Sequence, residues 1–172
     1  MPSPLSTPEK KKTSLRRVAI LFAGGPAPAA NAVISTAAAS FLRNDCEVLG
    51  IMYGYSQLAE FSPEKPLVEG GHYVRLTHHE LKRSRNTQGI MIGTSRTNPG
   101  RNVSQPAHLD DPKLAAPLRR VYEALVSLEV DALISIGGDD TLKTANKLKL
   151  YQDRLPAAAR RIPVVHLPKT ID

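Results

Sequence analysis

The 172-residue chain has no tryptophan and only one cysteine, Cys46, so an internal disulfide is excluded. Cys46 lies in the apolar run CEVLGIMY, a setting that favours a buried, unreactive thiol over a reactive one. Long hydrophobic segments are also missing, because RVAILFAGG and NAVISTAAASFL fall well short of the ~20 apolar residues that span a bilayer. No charged-then-apolar signal segment opens the chain. We therefore expect a cytoplasmic protein that does not associate with membranes.

The composition is otherwise that of a globular protein, with 41% apolar and 23% charged residues, and the length suits one domain. The net charge of +7 is uneven, because the first seventeen residues hold Glu9 and five basic side chains: Lys10, Lys11, Lys12, Arg16 and Arg17. We expect residues 1–15 to form a disordered basic tail and residues 16–172 to form the folded domain. Clustered lysines permit contact with nucleic acid, but the chain lacks a nucleic-acid motif and interleaved aromatic residues, so this alternative is the weaker one.

Apolar runs alternate with helical patterns in the first third of the chain. RRVAILFAGG predicts a buried strand from about Arg17 to Phe22, and the alanine-rich segment that follows predicts a helix ending near Asn44. EVLGIMYG predicts a second strand. A strand, a helix and a strand with short joins form a βαβ unit, which favours a parallel sheet with right-handed crossovers.

The rest of the chain extends the same pattern after a middle region, residues 55–111, that is loop-rich with short elements near HYVRL and HHELKRSRN. A helix is predicted from Leu114 to Leu128, with Leu118, Val121, Leu125 and Leu128 on one stripe. DALISIGG predicts a buried strand, TLKTANKLKLYQ a helix, and residues 163–167 a last strand. We therefore expect an α/β fold, a three-layer sandwich around a mainly parallel, Rossmann-like sheet.

Two glycine pairs, Gly24-Gly25 and Gly137-Gly138, each follow a predicted strand. Ligands of parallel α/β sheets bind beyond the carboxyl ends of the strands, where helix N-termini offer N–H groups to anions. Glycine lets the backbone approach a phosphate closely, although an ordinary tight turn is the alternative for each pair. A Gly-x-Gly-x-x-Gly dinucleotide motif and the Gly-Lys-Ser/Thr of a P-loop are both missing, so a different phosphate cradle is needed.

Charged residues accompany these turns. In GGDDT, Asp139 is either a helix N-cap or a Mg²⁺ ligand for a phosphoryl donor. In IGTSRTNPGR, Arg96 and Arg101 carry guanidinium forks that match phosphate oxygens, with simple solvation as the alternative. PKTID places Lys169 just after the last strand, where a charge clamp and a base would belong.

The four motifs GGPAPAAN, GTSRTNPGR, GGDDT and PKTID, in this order, resemble those of the phosphofructokinases. Asp140 and Lys169 resemble the diphosphate-dependent branch, since ATP-dependent relatives typically carry glycine at both positions. The resemblance implies reversible, Mg²⁺-dependent phosphoryl transfer between diphosphate and fructose 6-phosphate, a step of glycolysis and gluconeogenesis, by a homo-oligomer when full length. The alternatives are an ATP-dependent member that tolerates Asp140, a related NAD kinase, and a non-catalytic phosphate-binding module.

The same resemblance implies a role for each motif residue. On the donor side, Asp139 holds Mg²⁺ and Asp140 occupies the space that the α-phosphate of ATP needs. A carboxylate about 4 Å from a phosphate costs about 4 kcal/mol at an effective dielectric near 20, or roughly a thousandfold against ATP. The other residues implied to bind the donor are Gly25, Arg96, Arg101, Gly138, Thr141 and Lys169, with Arg96 clamping the transferring group.

On the acceptor side, the resemblance makes Asp172 the catalytic base and places Thr170 beside the sugar. Asp172, Lys169, Asp140 and Arg96 are thus the implied catalytic residues. Two departures stand out: Ala29 replaces a family glycine, which predicts a narrower cradle or a shifted helix start, and the family's motif continues beyond Asp172. We therefore expect a truncated donor half that is inactive as an isolated chain.

Overall fold

A computed structural model describes residues 13–84 and 87–169 of the chain. The first twelve residues of the predicted basic tail lie outside these ranges. Thr170 and Asp172, the two predicted acceptor-side residues, lie outside them as well. The predictions made for these segments therefore stay predictions.

One five-stranded sheet forms the centre of the fold. Its strands are β1 Arg17–Ala23, β2 Glu47–Ile51, β3 Tyr73–Leu76, β4 Ala132–Gly137 and β5 Val164–Pro168. Their order across the sheet is β3-β2-β1-β4-β5, and all neighbours are parallel except β3, which runs antiparallel to β2. The expected mainly parallel sheet is confirmed. The sequence analysis did not predict the antiparallel direction of edge strand β3, because its residues show only a weak strand pattern.

Helices cover both faces of this sheet and complete the predicted three layers. They are α1 Ala30–Leu42, α2 Ser56–Ala59, α3 His78–Arg83, α4 Ala116–Ser127 and α5 Asp139–Asp153, with a short 3₁₀ helix at Pro106–Leu109. Apolar residues of α1 and α3 pack on one face, and those of α2, α4 and α5 pack on the other. Among the described residues, no helix is long and apolar enough to cross a membrane.

The central strand β1 shows why the sheet is sandwiched. Val18, Ile20 and Phe22 point into the core beneath α1, whereas Ala19 and Leu21 point into the core beneath α4, and all five are fully buried. A strand covered on both faces reads as a continuous apolar run, which is how it appears in the sequence. The predicted stripe of α4 is also confirmed, because Leu118, Val121, Leu125 and Leu128 are all buried.

Helix α5 begins two residues earlier than the sequence pattern predicted. Gly138 is its N-cap residue and is extended, at φ −85° and ψ −163°, so Asp139 and Asp140 form the first turn. Asp139 is therefore not the N-cap. Two carboxylates in the first turn interact favourably with the positive end of the helix dipole, which extends the helix toward the strand.

Cys46 is buried, with 2% of its surface exposed. Its Sγ donates a hydrogen bond to the carbonyl of Leu15 at 3.1 Å. Burial, helped by the nearby carboxylates of Asp131 and Asp45, raises the pKa of the thiol above its ordinary value. A protonated, buried thiol is a poor nucleophile, which agrees with the structural role predicted for Cys46.

Candidate functional site

A cleft of ≈ 600 Å³ lies beyond the carboxyl ends of the parallel strands. The ladder register brings its parts together, because Ala23 of β1 pairs with Gly137 of β4, and Gly137 pairs with Pro168 of β5. The residues that follow these strands therefore start from neighbouring positions at one edge. Seven predicted site residues line the cleft: Gly25, Arg96, Gly138, Asp139, Asp140, Thr141 and Lys169.

The first glycine turn is held in place by the loop that carries Arg96. Gly24 has a φ of +96°, a conformation that favours glycine. Its N–H donates to the carbonyl of Ser95 at 2.8 Å, and its carbonyl accepts from Thr94 Oγ1 at 2.7 Å. Both backbone groups of Gly24 are therefore engaged by the loop, and Gly25 lines the cleft beside it.

The second glycine pair divides into a packing residue and a ligand-facing residue. A Cβ on Gly137 would lie 2.4 Å from Thr141 Oγ1 and 2.7 Å from the carbonyl oxygen of Ala23, so this glycine permits the close approach of α5 to β1. Gly138 has no side chain to cap α5. The first turn of this 15-residue helix lines the cleft, and its N–H groups have no side-chain acceptor from the N-cap, as an anion site requires.

Lys169 places a positive charge between the two glycine turns. The backbone N–H of Lys169 donates to the carbonyl of Gly137 at 2.8 Å and so continues the β4–β5 ladder. Its ammonium lies 5.9 Å from the ring centroid of Phe22, a cation–π distance. A Cβ built on Gly25 would lie 3.8 Å from the same ammonium, so the cation faces the first turn directly.

Asp139 is an exposed carboxylate on the cleft wall. In the part of the chain that the structure describes, no group of three or more His, Cys, Asp or Glu residues surrounds a common point. Magnesium in phosphoryl-transfer sites needs only one or two carboxylates, because phosphate oxygens and water complete its octahedron. A single acidic ligand beside a helix N-terminus that suits an anion therefore fits Mg²⁺ that arrives with its phosphate ligand.

Asp140 lines the same cleft as Gly25, Arg96 and Lys169, but its side chain is 84% exposed. Its Oδ1 lies 3.8 Å from the ammonium of Lys143, which partly offsets its charge. At such exposure the effective dielectric approaches that of water, and repulsion of a phosphate at about 4 Å falls to about 1 kcal/mol. The electrostatic gate expected from the sequence is therefore weaker than the roughly thousandfold effect, closer to fivefold.

Among the predicted positions that the structure describes, Arg101 and Ala29 do not line the cleft. Arg101 is exposed and follows a turn closed by a 3.1 Å bond from its N–H to the carbonyl of Asn98. Ala29 is the exposed N-cap residue of α1 at φ −86°, a conformation that any residue adopts. The predicted narrowing of the cradle by its methyl group is therefore not observed.

Several cleft residues were missed by the sequence analysis. Tyr55 forms part of the buried floor, and its hydroxyl lies 3.2 Å from Ser135 Oγ. Burial raises the pKa of Tyr55 to about 12, partly opposed by this hydrogen bond, so the phenol stays neutral. Its place just after strand β2 could have revealed it, since residues after parallel strands share one edge. The others are Ala23, Ser95, Thr97, Asn98, Lys143 and Thr144.

Comparison with known proteins gives a consistent family. The sequence matches the family described as Phosphofructokinase over residues 17–172. It is 33% identical over 156 residues to the pyrophosphate–fructose 6-phosphate 1-phosphotransferase of Thermotoga maritima, covering 91% of this chain and 31% of that protein. It is 32% identical over 156 residues to the ATP-dependent 6-phosphofructokinase of Aquifex aeolicus, covering 91% and 39%. The chain thus spans less than half the length of these curated relatives.

The fold agrees with a solved structure. The crystal structure of Pichia pastoris phosphofructokinase in the T-state matches with a TM-score of 0.69 and 21% identity, over 98% of this chain and 16% of that chain. At this identity the likeness concerns the fold alone. The relatives' names divide between diphosphate and ATP as donor, so the choice of donor depends on the cleft itself.

Proposed function

Because the chain belongs to the phosphofructokinase family, we propose that its cleft binds diphosphate, with Mg²⁺, as a phosphoryl donor. The acceptor is the 1-hydroxyl of fructose 6-phosphate, and the products are fructose 1,6-bisphosphate and phosphate. One observation carries the proposal: three basic side chains, Lys143, Lys169 and Arg96, line one cleft together with the N-terminus of α5. A small anion with charge at both ends suits such a cleft better than a neutral ligand.

Each donor-side group has a task that its chemistry favours. The guanidinium of Arg96 offers forked N–H donors to the oxygens of the transferring phosphoryl group. The compact charge of Lys169 stabilises the negative charge that grows on the leaving phosphate. The first-turn N–H groups of α5 bind the remaining phosphate oxygens. Asp139 would hold Mg²⁺, and the ion would supply positive charge that neutralises part of the phosphate charge.

The acceptor-side roles rest on the motif match alone. Asp172 accepts the proton of the 1-hydroxyl as that oxygen attacks phosphorus, and Thr170 lies beside the sugar. Both follow Lys169 closely in sequence, and Lys169 lies at the carboxyl edge of the sheet. Phosphoryl transfer of this kind needs positioning and charge stabilisation more than covalent chemistry.

ATP is the second candidate donor, and the exposure of Asp140 favours it. A carboxylate that is 84% exposed repels a phosphate only weakly, so it does not by itself exclude a nucleotide. A relative named as an ATP-dependent enzyme is nearly as similar to this chain as one named for pyrophosphate. We place diphosphate first because Lys169 supplies a cation that faces Gly25 directly.

Isothermal titration calorimetry of the chain tests the proposal without requiring turnover. Diphosphate and ATP are titrated separately at the same Mg²⁺ concentration, and phosphate is titrated as a control for simple anion binding. We expect the lowest Kd for diphosphate. Tighter binding of ATP would favour the second candidate, and equal weak binding of all three would contradict a donor site. ³¹P NMR with added fructose 6-phosphate then reports any transfer.

A further inference from the structure

The arginine loop, defined here as residues 94–100, joins the first glycine turn to helix α5. At its first end, Thr94 Oγ1 donates to the carbonyl of Gly24 at 2.7 Å. The carbonyl of Ser95 accepts from the N–H of Gly24 at 2.8 Å. These two bonds fix the start of the loop to the end of strand β1.

At its other end the loop is fixed to α5 through one amide oxygen. Asn98 Oδ1 accepts from the N–H of Gly100 at 3.0 Å and from Thr144 Oγ1 at 2.8 Å. Thr144 is 2% exposed and lies one turn beyond Asp140 on α5. The bond between Asn98 and Thr144 thus joins the loop of one motif to the helix of another.

A second contact reinforces this anchor. Lys147 Nζ donates to the carbonyl of Gly100 at 2.9 Å. Its side chain packs so closely on the loop that a Cβ on Gly100 would lie 2.8 Å from Lys147 Cδ. The loop backbone therefore lies directly against α5 at this point.

Arg96 and Thr97 lie between the two anchors, and both are exposed. An arginine on an unanchored loop loses conformational entropy when it binds a phosphate, because the loop backbone must be fixed in one conformation. A loop fixed at both ends has lost much of this freedom before the ligand arrives. The anchors therefore lower the entropy cost of binding a phosphate through Arg96.

We propose that Asn98 and Thr144 are positioning residues that hold Arg96 in the cleft by tying the arginine loop to α5. This inference rests on the proposed binding of diphosphate, and it adds how the loop of Arg96 and the helix of Asp139 keep a fixed separation. Thr144 has an alternative partner, because its Oγ1 also lies 2.9 Å from the carbonyl of Asp140. A purely structural threonine would need only that bond within its own helix.

A double-mutant cycle separates these two roles. Thr144→Val removes the hydroxyl at nearly constant volume, Thr144→Ser retains it, and each is made alone and together with Arg96→Ala. The probe is diphosphate with Mg²⁺, titrated by calorimetry into the full chain. One hydrogen bond contributes about 0.5–1.5 kcal/mol, so we expect Thr144→Val to raise the Kd about two- to tenfold. Thr144→Ser should restore the Kd, and in the Arg96→Ala background Thr144→Val should change it less than about twofold.

Hydrogen exchange at the Gly100 amide provides a readout of the anchor that needs no ligand. Its N–H bonds to the same Asn98 oxygen, so we expect faster exchange in Thr144→Val and the original rate in Thr144→Ser. Two results would overturn the positioning role and leave the proposed function standing. One is that Thr144→Val raises the Kd equally with and without Arg96→Ala. The other is that Thr144→Val lowers the melting temperature but leaves the Kd unchanged. If the unmodified chain does not bind diphosphate, the proposed function fails first and the positioning role with it.

Discussion

The ammonium of Lys169 lies 5.9 Å from the ring centroid of Phe22, while Phe22 itself is fully buried in the core beneath α1. The charge therefore stands on a rigid aromatic surface at the edge of the sheet. The backbone N–H of Lys169 also donates to the carbonyl of Gly137. The backbone end and the ammonium end of this residue therefore each have a contact that holds them in place. This relationship fixes the position of the Lys169 charge at the edge of the cleft.

Replacing Lys169 by methionine should weaken diphosphate binding about 10- to 100-fold. The change removes a charge-assisted hydrogen bond, which contributes about 1.5–3 kcal/mol, but keeps an unbranched side chain over Phe22. Calorimetry with Mg²⁺ and diphosphate measures the effect. Lys149→Met is the matched control, because Lys149 is on α5 outside the cleft lining and pairs with Asp153 at 2.6 Å. Comparable losses in both variants would show that net charge alone drives binding.

Asp140→Asn should change the preference between diphosphate and ATP only modestly. The exposed carboxylate contributes repulsion of about 1 kcal/mol, so the ratio of the two Kd values should shift toward ATP by about fivefold. The measurement is a pair of titrations at constant Mg²⁺. A shift approaching a thousandfold would mean that Asp140 becomes buried against the ligand, contrary to its exposure in this structure.

Gly137→Ala should destabilise the fold by about 3 kcal/mol, because its methyl group would overlap Thr141 Oγ1 and the carbonyl of Ala23. Urea denaturation followed by circular dichroism gives the change in free energy. Gly71→Ala is the control, since its nearest neighbour would be the carbonyl of Val68 at 3.9 Å. Equal stability of the two variants would show that α5 can move away from the sheet without cost.

Asp131 should make the stability of the chain depend on pH in the acid range. Its burial, the largest single influence, raises the pKa, but hydrogen bonds from the N–H groups of Arg17 and Arg16, together with Arg160, outweigh it. The pKa of the folded state therefore lies below the ordinary value of 3.8. The unfolded chain binds more protons between these two values, so the contribution is complete above pH 3.8 and is lost as the pH falls through the folded pKa.

Asp131→Asn is the variant that checks this contribution. It should lower the free energy of unfolding by about 2 kcal/mol at pH 7 and flatten its decline below pH 4, as measured by urea titrations across pH. Asp153→Asn serves as the control, because its ion pair with Lys149 is exposed and contributes little. An unchanged acid profile in Asp131→Asn would assign the pH dependence to other groups.

The layers and about half of the cleft lining could be predicted from the sequence for one physical reason. Parallel strands must be covered on both faces, so β1 and β4 appear as apolar runs, and their carboxyl ends meet at one edge. The start of α5 was misplaced because two adjacent acids look like a turn, although they suit a helix N-terminus. The hydrogen bond between Asn98 and Thr144 could not be predicted from the sequence, because contacts between distant segments depend on how a loop packs on a helix.

The width of the cleft follows from the register of the sheet. Gly24, Gly138 and Lys169 directly follow strands β1, β4 and β5, respectively, and these three strands are adjacent in the sheet. Adjacent strands lie about 4.8 Å apart, so these departure points span roughly 10 Å regardless of what the intervening segments contain. Insertions or deletions between the strands can therefore accumulate at the opposite end of the protein while the spacing offered to a small anion stays constant.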